Sequence, residues 1–122
     1  MSNIAKLKKE AWVYYQAWMK EKTYCSALSK EIIVSKKGWN HITQGSKKRR
    51  RNSKDLVNKL SLLKAAKYVI KNSRNYRIEK RDGNEYLVLE GETNMNKKHE
   101  RIRVILKKDN SNHYELFSVM RH

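Results

Sequence analysis

The sequence contains few cysteine, proline and glycine residues, and each shortage removes a class of structure. The single cysteine, Cys25, excludes an internal disulfide bond and disfavours a zinc site built from thiolates. There is no proline, and the four glycines form none of the glycine-rich loops that hold phosphates. No apolar run reaches the roughly 18 residues of a membrane-spanning helix, and the first residues lack a signal-peptide pattern. These shortages favour a protein that spans no membrane and works in a cytoplasm.

Acidic residues are also scarce, and the excess of positive charge is concentrated in one segment. The chain has 29 Lys and Arg residues against 12 Asp and Glu residues, a formal net charge of +17. Residues 36–81 hold sixteen of the basic residues and only two acidic ones, whereas residues 82–122 have no net charge. The densest basic run is 47–51, and His41 lies six residues before it. Because such a surface repels itself, the composition predicts a polyanionic partner.

The length of the chain and its hydrophobic fraction predict a single domain, residues 1–122. A chain of 122 residues with 39% hydrophobic residues can bury one core. Apolar residues recur every three or four positions over 3–22, which predicts an amphipathic helix. Its aromatic residues would belong to the core or to a surface that binds a partner. A β-branched run over 31–35 then predicts a short first strand.

A short helix is predicted directly after that strand, over residues 36–42. Ser35 precedes it and is a residue type that caps helix N-termini. Trp39 and Ile42 are three positions apart, so both would face the core. His41 would then point to a different side of the same turn.

The rest of the chain predicts one longer helix followed by β-structure. A capping pattern at 52–55 precedes an apolar stripe that extends from Leu56 to Ile70. The Asp82-Gly83 pair is a tight hairpin turn between alternating segments. The expected strands are 76–80, 85–90, 100–106 and 113–120, with a polar loop over 91–99. The fold class is therefore α+β: N-terminal helices packed on an antiparallel sheet of four to five strands. Residues 1–30 would be a helical or docking segment, and residues 31–122 the functional core.

The basic segment contains the residue types that metal-free RNA cleavage requires. In that reaction the neighbouring 2′-OH attacks phosphorus and leaves a 2′,3′-cyclic phosphate. It needs a base, an acid and cations for the charge on the phosphoryl oxygens. Such groups cluster at His41, Thr43, Ser46, Lys47, Lys48 and Arg49. A metal-dependent nuclease would need converging carboxylates, and only Asp55 and Glu79 lie in the basic half. We therefore expect neither a metal nor another cofactor.

Two segments resemble the barnase–EndoU–colicin–RelE (BECR) nuclease superfamily. Ile33-Val34-Ser35-Lys36-Lys37-Gly38-Trp39-Asn40-His41-Ile42 is similar to its strand-into-helix "xxGxxHI" segment, and Tyr114-Glu115-Leu116-Phe117-Ser118-Val119 to its final "FxSV" strand. The order of elements over residues 31–120 also agrees. The resemblance implies a metal-independent ribonuclease that often cuts tRNA. It also implies a bacterial toxin domain that acts in the cytoplasm of a target cell and has a cognate acidic immunity or antitoxin protein. Such a domain can be delivered as the C-terminal part of a larger secreted protein.

The resemblance also assigns roles to individual residues. It maps a catalytic histidine onto His41 and a hydroxyl that contacts the scissile phosphate onto Ser118. The motif does not fix the basic partner, for which Lys47, Arg49 and Arg103 are the candidates. Contacts to other phosphates of the RNA, which position it without reading sequence, are expected from a further basic set: Lys36, Lys37, Lys48, Arg50, Arg51, Lys54 and Lys59.

Other interpretations remain open from the sequence alone. His41 can be a surface or capping residue, and Ser118 an ordinary strand residue. The whole chain can be a non-catalytic RNA- or DNA-binding module, for example one that associates with the ribosome, because the charge fits that function equally well. It shows neither the aromatic signatures of an RRM nor the GxxG loop of a KH domain. A binder of an acidic protein is the third alternative.

Overall fold

The computed structural model describes residues 3–44, 53–95 and 98–121. Within these ranges the first half of the chain forms four helices and a two-stranded sheet, and the second half forms a four-stranded sheet. The elements in order are α1 (Asn3–Met19), β1 (Thr23–Cys25), β2 (Lys30–Ile32), α2 (Lys36–Gln44), α3 (Ser53–Ser61), α4 (Leu63–Asn72), β3 (Tyr76–Arg81), β4 (Asn84–Met95), β5 (Lys98–Lys108) and β6 (Tyr114–Arg121).

The later strands form one antiparallel sheet in the order β3-β4-β5-β6, and β1 and β2 form a separate two-stranded sheet. This architecture confirms the predicted α+β class. The Asp82-Gly83 turn also forms as predicted, because both residues take positive φ, 49° and 79°. Two positive φ values in a two-residue loop match the right-handed twist of the strands that it joins.

One face of the large sheet is covered by helices and forms the core. The residues that point to this face alternate along β4 and β5 and are three positions apart in β6, and all are fully buried: Leu87, Leu89, Ile102, Val104, Leu106, Leu116 and Val119. Helix α4 packs on them, and it lies so close that a Cβ added at Gly91 would be 3.0 Å from Val69 Cγ2. The opposite face of the sheet, which we call the open face, carries mainly polar and charged residues.

Helix α1 belongs to the same core. Tyr15 and Trp18 are buried, and the Tyr15 hydroxyl donates to the Ser35 carbonyl at 2.6 Å. Trp12 packs against Trp39 of α2 with ring centroids 5.0 Å apart. Since Ser35 precedes α2 directly, these contacts fix where α2 begins.

The short strand predicted over 31–35 is the second strand of the chain, β2, and it ends at Ile32. Two longer predicted segments are wrong. The single helix expected over 56–70 is divided at Leu62, because Leu60 and Leu62 are both buried and lie about 200° apart on one straight helix. The polar loop expected over 91–99 is instead strand: β4 continues to Met95 and β5 begins at Lys98. Charged cross-strand pairs such as Glu92 with Arg101 hold this end of the hairpin, so no apolar alternation marks it.

The pH dependence of stability tests one contact of the sheet. Tyr114 donates to Glu85 at 2.6 Å, and this hydrogen bond, aided by Lys108, lowers the pKa of the Glu85 carboxyl. A carboxyl with a lowered pKa stabilises the fold above its unfolded pKa and loses that effect as the pH falls through the folded value. We therefore expect the stability of Tyr114→Phe to fall less than that of the parent between about pH 5 and pH 3. Denaturant unfolding across that range measures it, and parallel pH curves would contradict it. Tyr24→Phe, at a half-exposed tyrosine of β1, is the control.

Candidate functional site

The helix that carries His41 approaches the sheet unusually closely. Gly38 lies in its first turn, where the backbone N–H donates to the capping Ser35 hydroxyl at 3.3 Å. A Cβ at Gly38 would be 2.3 Å from the Leu116 carbonyl oxygen of β6, so only glycine fits. Trp39 and Ile42 are buried, as predicted. His41 therefore lies on another side of α2 and is half-buried.

The imidazole of His41 is held by the neighbouring strand. Its Nδ1 lies 3.0 Å from the Phe117 carbonyl oxygen, and its ring stacks on the Phe117 ring with centroids 3.7 Å apart. Because a carbonyl oxygen only accepts hydrogen bonds, Nδ1 carries the proton of this contact. In the neutral ring the lone pair is then on Nε2. A fixed tautomer of this kind is the usual arrangement of a histidine that transfers protons.

A β-bulge in β6 places Phe117 beneath His41. The register pairs Ile105 with Ser118 and Leu106 with Leu116, so Phe117 is the extra residue. A bulge bends its strand and redirects the side chains beside it. The Phe117 ring meets Tyr86 at 5.3 Å and the Lys107 ammonium at 5.6 Å from its centroid.

These residues border a shallow pocket of about 380 Å³ on the open-face side of β6. Its lining residues are Lys37, Gly38, Asn40, His41, Gln44, Lys107, Glu115, Leu116 and Phe117. Glu115 accepts a hydrogen bond from the Ser35 hydroxyl at 3.1 Å and lies 4.0 Å from Lys37 Nζ. The pocket thus combines an imidazole with two ammonium groups and one carboxylate. Lys107 lies on the strand face opposite the buried Leu106 and was not among the predicted site residues.

Ser118 and Lys59 form a buried pair instead of a substrate surface. Ser118 is 3% exposed and Lys59 is 7% exposed. Lys59 Nζ donates to Ser118 Oγ at 2.9 Å and to the Val119 carbonyl at 2.8 Å. The burial of this ammonium and its hydrogen bonds inside the fold argue against the predicted role of Lys59 as a surface phosphate contact. Ser118 accepts this hydrogen bond beneath the surface, which does not fit the expected contact with a scissile phosphate.

Lys59 and His41 both cover the outer edge of β6. The edge carbonyls of Phe117 and Val119 contact His41 and Lys59 respectively. Further along the edge, Ile33 N donates to the Tyr114 carbonyl and Leu116 N donates to the Ile33 carbonyl, both at 2.9 Å. An edge strand sealed in this way is unavailable for pairing with another chain.

Removal of the Lys59 ammonium tests its internal role. Lys59→Met keeps the aliphatic stem and leaves two buried acceptors without this donor. We expect it to destabilise the fold by about 2 kcal/mol. The control is Lys54→Met in the same helix, where the exposed side chain predicts a change within about 0.5 kcal/mol. Denaturant unfolding measures both, and equal stabilities of the two variants would contradict the assignment.

Arg103 lies on the open face but away from His41. It is four residues from Lys107 on β5, which corresponds to about 13 Å along the strand. Its Nη2 is 3.8 Å from Glu90 Oε1. Its Nε is buried and has no hydrogen-bond partner among the described residues. Lys107 therefore lies nearer than Arg103 to the Phe117 ring, on which His41 stacks.

The remaining predicted residues divide into two groups. Lys36 and Lys37 are exposed at the start of α2, and Lys54 is exposed on α3. The following predicted site residues lie outside the described residues: Lys47, Lys48, Arg49, Arg50 and Arg51.

Neither a family match nor a metal cluster adds to this geometry. In residues 3–44, 53–95 and 98–121, no three His, Cys, Asp or Glu side chains lie together in a way that could hold a metal ion. None of the helices in those ranges is long and apolar enough to cross a membrane. No family model, curated protein or solved structure matches the chain.

Proposed function

We propose that this protein is a metal-independent endoribonuclease with His41 as its proton-transferring residue. The observation that supports this most strongly is the arrangement at β6. There a half-buried histidine has its tautomer set by the Phe117 carbonyl and lies in a pocket that also contains Lys37 and Lys107.

In the proposed reaction the 2′-OH of one nucleotide attacks the adjacent phosphorus. His41 Nε2 takes the proton of that hydroxyl, the new O–P bond forms, and the bond from phosphorus to the 5′-oxygen breaks. The imidazolium returns a proton to the leaving 5′-oxygen. The products are a 2′,3′-cyclic phosphate and a 5′-hydroxyl, so protons and bonds balance without a cofactor.

Cationic side chains stabilise the negative charge that collects on the phosphoryl oxygens. Lys107 and Lys37 are the ammonium groups that line the His41 pocket. Lys47 and Arg49, which the sequence predicts, are further candidates for stabilising this charge. Arg103 is also a candidate, but it lies farther from His41. Ser118 and Lys59 support β6 from inside and do not contact RNA in this proposal.

The biological setting that we propose comes from the BECR resemblance. The substrate is an RNA, with tRNA as the preferred class, and the chain acts as a toxin domain in the cytoplasm of a target bacterial cell. It is delivered as the C-terminal part of a larger secreted protein. An acidic immunity or antitoxin protein inhibits the domain. A net charge of +17 is complementary to both kinds of partner.

Incubation of the protein with total tRNA and rRNA in the presence of EDTA tests the activity. We expect discrete fragments on a gel, because no step of the reaction needs a metal ion. Intact RNA together with a strongly salt-dependent mobility shift would instead identify a non-catalytic RNA-binding module.

A further inference from the structure

Most of the positive charge on the open face of the sheet is neutralised by neighbouring glutamates. Arg77 and Arg81 both bind Glu79, and Arg77 also binds Glu90. Arg101 lies 3.3 Å from Glu92. The cations of this face that are left for phosphates lie at the His41 pocket, which Lys37 and Lys107 line. Several other basic residues of the 36–81 segment that the structure describes lie on helix α4 or directly after it.

Helix α4 exposes a stripe of basic residues to solvent. Lys64, Tyr68 and Lys71 are exposed at i, i+4 and i+7, so they form one stripe about 10 Å long. Arg74 is exposed immediately after the helix. Lys64, Lys67, Tyr68, Lys71 and Asn72 line one shallow depression on this stripe. Among the described residues, the one ion pair of α4 joins Lys67 to Glu21.

This stripe lies on the side of the sheet opposite the His41 pocket. Val69 of α4 packs against Gly91, which points to the core face of β4. Tyr86 lies five residues earlier on the same strand and points to the open face, where it contacts Phe117. The sheet therefore separates the two surfaces.

We propose that the α4 stripe, with Lys64, Lys71 and Arg74 as its cations, binds the phosphodiester backbone of the RNA at a distance from the cleavage site. This inference rests on the proposed ribonuclease function and narrows its substrate. An RNA that reaches both the α4 stripe and the His41 pocket must pass around the domain. The substrate class is therefore an RNA long enough to reach both surfaces, such as a tRNA, and not a short oligonucleotide.

The composition of the stripe favours RNA over an acidic protein as the occupant. Lysine is depleted in protein–protein interfaces, whose centres are apolar and aromatic. Among the described residues of α4, Tyr68 is the only large hydrophobic residue that is exposed. Lysines that surround a single tyrosine fit phosphates and an adjacent base or ribose hydroxyl better.

The salt dependence of RNA binding tests the inference directly. The test variant is Lys64→Gln with Lys71→Gln and Arg74→Gln. The control removes the same charge from exposed lysines of α1: Lys6→Gln with Lys8→Gln and Lys9→Gln. Both sets are made in the His41→Ala background so that the probe, a labelled tRNA transcript, stays intact. We expect the test variant to make the slope of log affinity against log salt shallower by about 2, and the control by less than about 1.

Each outcome decides the inference. An unchanged slope in the test variant, or an equal loss in the control, would overturn it. Tighter binding to a DNA hairpin than to an RNA hairpin of the same sequence would overturn the assignment to RNA. Cleavage by the parent in EDTA is measured separately, so its absence would remove the proposed ribonuclease function without changing the result on the α4 stripe.

Discussion

His41→Ala is expected to slow RNA cleavage by about 10²- to 10⁴-fold, while the variant stays folded and keeps its affinity for RNA. The reason is that the substitution removes the group that takes the 2′-OH proton. It also removes the contact with the Phe117 carbonyl, which lies at the sheet edge. Single-turnover cleavage of a labelled tRNA in EDTA measures the rate, and filter binding measures the affinity.

The matched control for this substitution is His113→Ala. His113 is exposed beside the β5–β6 turn, with Nδ1 4.0 Å from Asp109 Oδ1, and it lies outside the His41 pocket. We expect it to cleave at the parent rate. Cleavage by His41→Ala at the parent rate, or an equal loss in His113→Ala, would refute the assignment of His41.

Gly38→Ala is expected to give the second large effect, a loss of about 3 kcal/mol in stability together with a loss of cleavage. The added Cβ would lie 2.3 Å from the Leu116 carbonyl oxygen, which is backbone and cannot rotate away. Helix α2 must then move out from β6 and withdraw His41 from Phe117. Thermal unfolding measures the stability, and cleavage is compared at a temperature at which both proteins are folded.

Gly91→Ala is the control for Gly38→Ala, because it adds a methyl group at a crowded position away from the His41 pocket. Its added Cβ would meet Val69 Cγ2 at 3.0 Å, a side-chain contact on the core face, away from the His41 pocket. We expect a smaller loss of stability and cleavage like that of the parent. If Gly38→Ala retains parental cleavage, the close approach of α2 does not position His41.

The sequence predicted the parts of the site that depend on local pattern. The three-residue spacing of Trp39 and Ile42 correctly placed both in the core and turned His41 away from it. The alternation in the second half predicted the antiparallel sheet, and Asp82-Gly83 predicted its first turn. These features depend on neighbours in the chain, so periodicity and turn chemistry are sufficient to find them.

Contacts between distant segments were not predictable in this way. Lys59 lies 59 residues from Ser118, and the helical pattern could not show that a lysine would donate to the edge of β6. The bulge at Phe117 depends on how β5 and β6 align, and a single alternating strand does not reveal that register. Lys107 was missed for the same reason, since it reaches the Phe117 ring only across two paired strands.

The chemical identity of the RNA fragment ends shows whether the 2′-OH is the attacking group in the proposed cleavage. The parent protein is incubated with tRNA in EDTA, and the new termini are identified by mass spectrometry. Attack by the 2′-OH predicts 2′,3′-cyclic phosphates and 5′-hydroxyls at every cut. Fragments that end in 3′-hydroxyls and 5′-phosphates, or no fragments at all, would contradict the proposed function of this protein.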